Sequence, residues 1–270
     1  PEMVRMAGGR SVLVECPEEN GFLPAMEDIE KVITERTKAF VLTNPSNPNG
    51  CIWDEERLRA LVQLAVDKQF YIIADEIYEK LVYGAAKHVA VATLSPEAYT
   101  HTILIGGVSK SYAMTGLRIG FAAGPVDVIA GMVNYQSQST SAPNSAAQHA
   151  AAVAYTMDQT CVEEMRQQFE KRRDYIVERI NAMPGVSCRM PDGAFYVMMN
   201  ISRVIGKRYK DTVIENSNDF ALTLLENAHV AIVPGNAFLA EGFCRLSYAT
   251  GMENIRNGMD RLEAFLKELS

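Results

Sequence analysis

One lysine stands in the segment G-G-V-S-K-S-Y-A-M-T-G-L-R-I-G, Gly106 to Gly120, just after an apolar run. Lys110 has Ser109 beside it and Arg118 one or two turns of chain further on. A primary amine that is to react with an aldehyde needs an accessible neutral form, which burial beside another cation favours. Lys110 is therefore a candidate Schiff-base lysine. The adjacent hydroxyl and guanidinium are the groups that hold a dianionic phosphate. An aldehyde-bearing, phosphorylated cofactor such as pyridoxal 5'-phosphate meets both halves of this description. A lysine standing alone after a strand is more often a solvated surface residue, so its neighbours carry the weight.

Three other segments bear on the same chemistry. F-Y-I-I-A-D-E-I-Y, Phe70 to Tyr78, is a β-prone apolar run that ends at Asp75. In open α/β sheets ligands sit beyond the carboxyl ends of the strands, where this acid would lie, although a helix N-cap or a solvated loop acid would read the same way. A-F-V-L-T-N-P-S-N-P-N-G runs from a strand into Asn44, Pro45, Asn47, Pro48 and Gly50. Turn chemistry accounts for most of those residues but need not account for both asparagines. Near the C-terminus, F-C-R-L-S-Y-A-T sets Arg245 inside a strand-like run, where an unpaired cation is costly and a bidentate carboxylate partner would suit it.

N-P-S-N-P-N-G, D-E-I-Y, S-K-S-Y-A-M-T-G-L-R-I-G and C-R-L-S-Y-A-T come in the order and spacing of the class I, fold type I aminotransferases. The chain resembles the aspartate aminotransferase branch of that family from P-E-M-V-R-M-A-G-G at its start to its final helix. The resemblance implies that Lys110 is the Schiff-base lysine and Asp75 the partner of the pyridine nitrogen of pyridoxal 5'-phosphate. It implies that Tyr78 and Asn47 donate to the cofactor's phenolic oxygen, and that Arg118 with Ser109 holds the phosphate. Arg245, helped by Asn47, would take the substrate's α-carboxylate, and Phe195 in P-D-G-A-F-Y-V would line the substrate pocket. An aromatic in so apolar a strand is also a natural core residue.

The implied activity moves an α-amino group from an L-amino acid, aspartate in the first instance, to a 2-oxo acid such as 2-oxoglutarate by a ping-pong mechanism. Aromatic, alanine-type and prephenate-directed transamination stay open. So do a carbon–sulfur β-lyase and the non-catalytic, cofactor-sensing domain of a transcription regulator, since a fold does not fix a function.

The chain departs from the family pattern in three places. It opens at Pro1 in the middle of what relatives build as the large domain, so the family's N-terminal portion, with its phosphate cradle and ring-stacking aromatic, is expected to be absent. Gly107 stands where some relatives place a phosphate-binding serine. No Lys or Arg lies between Arg118 and Arg166, where some dicarboxylate-specific relatives carry a second arginine.

Composition fits such an enzyme. The 270 residues are 48% hydrophobic, enough for a large core, and the net charge of −7 comes with no clustered basic face, so neither nucleic acid nor an anionic membrane is expected as partner. No apolar run approaches a membrane span, and the first residues do not read as a signal peptide. Five cysteines without C-x-x-C spacing suggest reduced, buried thiols in a cytoplasmic protein, and the four histidines show no ligand-like pairing, so no metal is expected. The scattered methionines read as core filling. The resemblance adds a homodimer.

The elements that must position these groups alternate strand and helix, which predicts an α/β fold with a mainly parallel, seven-stranded-type sheet sandwiched by helices and a smaller C-terminal α+β domain. Strands are expected at 12–15, 39–42, 70–74, 102–105 and 119–122, with a helix at 54–68 capped by Asp54. Asn47, Asp75 and Lys110 then all fall just beyond strand ends. A long amphipathic helix from 160 to 182 divides a cofactor-binding part, 1–159, from a C-terminal part, 160–270. The latter holds strands at 186–189, 194–199, 230–233 and 244–249 and helices at 219–228 and 252–269. Thr250 and Glu253 form a capping-box pattern for the last helix.

Overall fold

The computed structural model describes residues 1–270. Four strands build the first sheet: β1 (Ala39–Thr43), β2 (Tyr71–Asp75), β3 (Thr102–Gly107) and β4 (Gly120–Ala123), in that spatial order. The first three run parallel, in a register that sets Thr43 beside Asp75 and Asp75 beside Ile105. Parallel neighbours need a crossover, which helix α3 (Glu55–Lys68) and helix α4 (Pro96–His101) provide; the short helices α1 (Glu2–Met6) and α2 (Met26–Val32) precede them. The Val108–Ile119 connection carries only a 3-10 turn at Thr115–Leu117, so the chain doubles back and β4 pairs antiparallel to β3.

The α/β class and the mainly parallel sheet match the expectation, while the residues of this chain build four strands of such a sheet and not seven. Residues 12–15 do not form the expected strand. They run without a ladder, and Val12 and Leu13 face solvent, because no neighbouring strand takes their backbone groups.

Helix α3 follows from its sequence. The Asp54 carboxylate accepts the Arg57 amide at 2.8 Å, a cap that contributes about 1 kcal/mol. Leu58, Leu61, Val62 and Ala65 lie on one face and bury against Leu42, Ile72 and Ala74 of the sheet.

Helices α5 (Val126–Ser139) and α6 (Ser145–Thr156) come next. Helix α7 (Thr160–Asn181) then leads to a second, antiparallel sheet ordered β5 (Ser187–Cys188), β6 (Tyr196–Asn200), β10 (Phe243–Ser247), β9 (Val233–Pro234). A small hairpin of β7 (Arg208–Tyr209) and β8 (Thr212–Val213), helix α8 (Ser217–Ala228) and helix α9 (Met252–Lys267) complete the chain.

The α9 residues Ile255, Met259, Leu262, Phe265 and Leu266 recur at helical spacing and pack with Phe169, Ile176 and Ile180 of α7. The same core takes in Tyr78, Leu81 and Tyr83 from the loop after β2, which fastens that loop to the C-terminal elements.

Three local expectations are corrected. The N-cap of α9 is Gly251, with no side-chain cap; the Thr250 hydroxyl instead accepts from the Asn254 side-chain Nδ2 at 3.0 Å, so no capping box forms. All five cysteines are free, but Cys16 and Cys161 are exposed, and only Cys51, Cys188 and Cys244 are buried, each thiol pushed up to about 12 by that burial. Met3 and Met6 are exposed and fill no core. No helix is long and apolar enough to cross a membrane.

Candidate active site

The carboxyl ends of β1, β2 and β3 converge, and each delivers a polar side chain. After β1 the backbone amide of Asn44 donates to the Asp75 carbonyl at 2.9 Å, which ties the first loop to the second strand. The loop then closes on itself: Ser46 donates to the Cys51 carbonyl, Gly50 to the Ser46 carbonyl, and the Asn49 side chain accepts the Cys51 amide. These bonds hold Asn47 at the tip.

Two glycines dock that loop onto the C-terminal elements. Gly50 has φ +71°, and a Cβ there would stand 2.6 Å from the Gly193 carbonyl oxygen. The Gly50 carbonyl accepts from the amides of Asp192 and Gly193 at 3.0 and 2.8 Å. A Cβ on Gly193 would meet Pro45 Cβ at 2.7 Å and the Leu81 carbonyl oxygen at 2.9 Å. This close backbone approach brings the Phe195–Tyr196 pair to the ends of the parallel strands.

Asp75 ends β2, its Oδ1 accepting the Ile77 amide at 3.2 Å. Burial raises its pKa, and the nearby Lys110 charge works in the opposite direction. Tyr78, one turn on, is buried, and its hydroxyl lies 2.9 Å from the Tyr196 hydroxyl. Burial, followed by that contact, lifts Tyr78 well above the ordinary phenol range, so it stays a proton donor.

Beyond β3, Lys110 turns its Nζ towards two aromatic faces, 5.9 Å from the Tyr78 ring centroid and 5.7 Å from that of Phe195. Ser109 is half-buried beside it. A Cβ on Gly107 would sit tightly, at 3.0 Å from both Gly120 Cα and the Ile119 carbonyl oxygen, so a side chain there needs its neighbours to give way.

Arg245 lies on β10 opposite Met198 of β6. Its guanidinium sits between two rings, 4.3 Å from the Tyr196 centroid and 4.8 Å from that of Phe238. Nη1 donates to Asn47 Oδ1 at 2.7 Å, while Nε is buried without a partner. An aromatic trio thus joins the two cations: Lys110 borders Tyr78 and Phe195, Arg245 covers Tyr196, and the three rings touch one another at 4.7 to 5.9 Å between centroids.

Of the residues singled out in the sequence, Asn47, Asp75, Tyr78, Lys110, Phe195 and Arg245 meet in this arrangement. Arg118 does not join them through any contact; it is exposed, in the left-handed region at φ 54°, and donates to the Thr115 carbonyl at 3.1 Å. Tyr196 and Phe238 were not singled out. The available signal for Tyr196 was a phenol hydroxyl inside an otherwise apolar buried strand, which requires a partner.

The aminotransferase class I and II family model matches residues 1–262. The chain is 45% identical over 267 residues to an aspartate aminotransferase of Geobacillus stearothermophilus, covering 99% of this chain and 67% of that protein. It is 42% identical over 269 residues to an aspartate/prephenate aminotransferase of Thermus thermophilus, covering 98% and 66%. The crystal structure of the aspartate aminotransferase from Rhizobium meliloti superposes with a TM-score of 0.95 at 39% identity, over all of this chain and 68% of that one. The chain thus spans about two thirds of the length of the relatives it matches. With its strand-end polar groups and aromatic-clasped arginine set on that shared fold, the chain belongs to the class I and II aminotransferases.

Proposed function

We propose that the site binds pyridoxal 5'-phosphate and transfers the α-amino group of L-aspartate to a 2-oxo acid, 2-oxoglutarate in the first instance. The observation that carries this reading is Arg245: a guanidinium held by Asn47 at one end, clasped by two rings, with a buried unpartnered Nε and no carboxylate of its own chain bound to it. Such a group is prepared for an incoming carboxylate. The names of the aspartate and aspartate/prephenate aminotransferases it resembles supply the substrate.

The donor set suits the cofactor. Lys110 is an amine bordered by rings and with no ion pair, Asp75 is a half-buried acid whose pKa burial raises and the Lys110 charge lowers, and Tyr78 is a protonated phenol beside Lys110. Lys110 would hold the aldehyde carbon, Asp75 the ring nitrogen, Tyr78 and Asn47 the phenolic oxygen, and Ser109 with Arg118 the phosphate. For the last pair, Arg118 must leave its Thr115 carbonyl contact. When bound, the cofactor supplies a carbonyl for amine exchange and a sink for the electrons left at the substrate α-carbon.

The protein's own contributions follow. Asp75 keeps a proton on the ring nitrogen, which a carboxylate favours by about 1.4 kcal/mol per unit of pKa. Arg245 fixes the substrate carboxylate and thereby aims the α-hydrogen. Nζ of Lys110 would take that proton as base and return it as acid. Phe195 and Tyr196 wall off water. Residues 1–159 would form the cofactor-binding part and 160–270 the part that brings Arg245 over it.

A homodimer belongs to the same reading, because α5 buries none of its residues and exposes Val126, Val133 and Tyr135. Free thiols suit a cytoplasmic location.

The test is the absorbance of the protein with pyridoxal phosphate before and after L-aspartate, with Lys110→Ala as control. Borohydride should fix the cofactor on Lys110, and aspartate alone should yield oxaloacetate in stoichiometric amount without an acceptor. Release of pyruvate and ammonia would instead mark a β-eliminating lyase.

A further inference from the structure

We propose that Tyr196 is a positioning residue that fixes the Tyr78 hydroxyl as a donor into the site and, through its ring, holds the Arg245 guanidinium ready for a carboxylate. The proposal rests on the functional reading above and extends it to a side chain with no role there beyond excluding water.

Tyr196 touches both groups at once. On the antiparallel β6–β10 pair it faces Ser247, and Arg245 faces Met198, so Tyr196 and Arg245 are diagonal neighbours on one sheet face. The guanidinium lies 4.3 Å above the Tyr196 ring, and the Tyr196 hydroxyl lies 2.9 Å from that of Tyr78.

Two phenols at that distance share one hydrogen bond, and one of them must donate. A cation stacked on a phenol draws electron density from it and makes its O–H the stronger donor. Either hydroxyl can donate in the free site, but Arg245 stacks on Tyr196 and strengthens its O–H as donor, and a cofactor oxygen that takes the Tyr78 proton leaves the Tyr78 oxygen free to accept. With the cofactor bound, Tyr196 would therefore donate to Tyr78, and the Tyr78 proton would go to the cofactor's phenolic oxygen. The charged groups facing the hydroxyl pair are Asp75 from the end of β2, Lys110 from the loop after β3 and Arg245 from β10.

Tyr196→Phe removes the hydroxyl and keeps the ring; Tyr196→Leu removes both. Two readouts separate the roles. In the protein without cofactor, calorimetry with succinate reads the carboxylate site: Tyr196→Phe should bind within twofold of wild type, and Tyr196→Leu about tenfold more weakly. Equal affinity in the two variants would overturn the ring's role.

In the loaded protein, the pH midpoint of the cofactor's visible absorbance reads the hydroxyl. A hydrogen bond to an anionic oxygen favours the anion, so weakening Tyr78 as donor should raise the midpoint in Tyr196→Phe. Tyr78→Phe should raise it further, and the double variant should match Tyr78→Phe alone, because Tyr196 acts through Tyr78. An unshifted midpoint in Tyr196→Phe, or additive shifts, would overturn it.

Should the wild-type protein take up no pyridoxal phosphate, the functional reading falls and not the geometry. The hydroxyl pair is then read from urea unfolding of Tyr78→Phe, Tyr196→Phe and the double variant. Losses that are less than additive support the pair, and fully additive losses overturn it.

Discussion

The carboxamide oxygen of Asn47 accepts a hydrogen bond from Nη1 of Arg245 at 2.7 Å, across 198 positions of sequence. This one contact joins the loop after the first parallel strand to the antiparallel sheet of the C-terminal elements. It also spends an acceptor on a cation that would otherwise have none, since the rest of the guanidinium touches only rings and its Nε is unpartnered.

Asn47→Ala should therefore loosen Arg245. A hydrogen bond to a charged group contributes about 1.5–3 kcal/mol, so KM for the amino acid should rise about tenfold or more. Arg245→Lys should be worse, because an ammonium cannot present a planar fork to a carboxylate. Steady-state kinetics with aspartate, and succinate affinity without cofactor, check both. An unchanged succinate affinity in Asn47→Ala would show that the two rings alone hold the arginine.

The strand-end geometry was legible because short apolar runs ending in Asn, Asp and Gly can be read without tertiary information. Asp54 announced its helix in the same way, and its cap bond forms. Tyr196 was legible only as a phenol that would need a partner, and Phe238, at the end of a short 3-10 turn, gave no signal until its neighbours were placed. Helix α6 gave little signal because its many alanines carry a weak apolar stripe, and the apolar residues of α5 face outward, none of them fully buried. The direction of β4 depends on the length of one connection and not on the strand's own residues. Residues 12–15 carry a strand-like pattern that only a pairing partner could realise.

Asp75 carries a pH signature independent of activity. Burial raises its folded-state pKa above the unfolded value, so the folded protein binds the proton more tightly. Stability contributed by this residue is present below the unfolded carboxylate pKa and is lost as pH rises through the folded one. Without cofactor, Asp75→Asn should remove that decline and be at least as stable as wild type at neutral pH. Turnover should fall at least a hundredfold with little change in KM, because the carboxylate acts on the ring nitrogen and not on substrate binding. Urea denaturation across pH 4–8 and single-turnover kinetics test the two halves separately.

Gly193 makes a purely steric prediction. A Cβ at Gly193 would stand 2.7 Å from Pro45 and 2.9 Å from the Leu81 carbonyl, and neither backbone can retreat without breaking the bonds that dock the loop. Gly193→Ala should cost about 1–3 kcal/mol, as overpacking does, and should weaken succinate binding by moving Asn47 away from Arg245. Gly107→Ser tests the same logic in the cofactor loop. With Gly120 and Ile119 backbone atoms at 3.0 Å, the added hydroxymethyl should lower stability and give no gain in cofactor affinity.

Directly after Asp75, Glu76 is almost fully buried, accepting the Val91 amide at 2.9 Å on one oxygen and lying 3.0 Å from His88 Nε2 on the other. It ties the end of β2 to His88 and Val91 at the far end of the loop that follows Tyr78, so its removal acts on the site through that loop. Glu76→Ala leaves a buried amide and a largely buried imidazole without partners, and each orphaned group costs about 1–3 kcal/mol. Glu76→Gln keeps an acceptor for Val91 and should lose less. If urea unfolding finds the alanine variant no less stable than the glutamine one, then these hydrogen bonds do not hold the loop. A loss confined to Glu76→Ala, with the Lys110 reaction towards pyridoxal phosphate slowed in step, would show that the carboxylate supports the site through the Tyr78 loop and not through its charge.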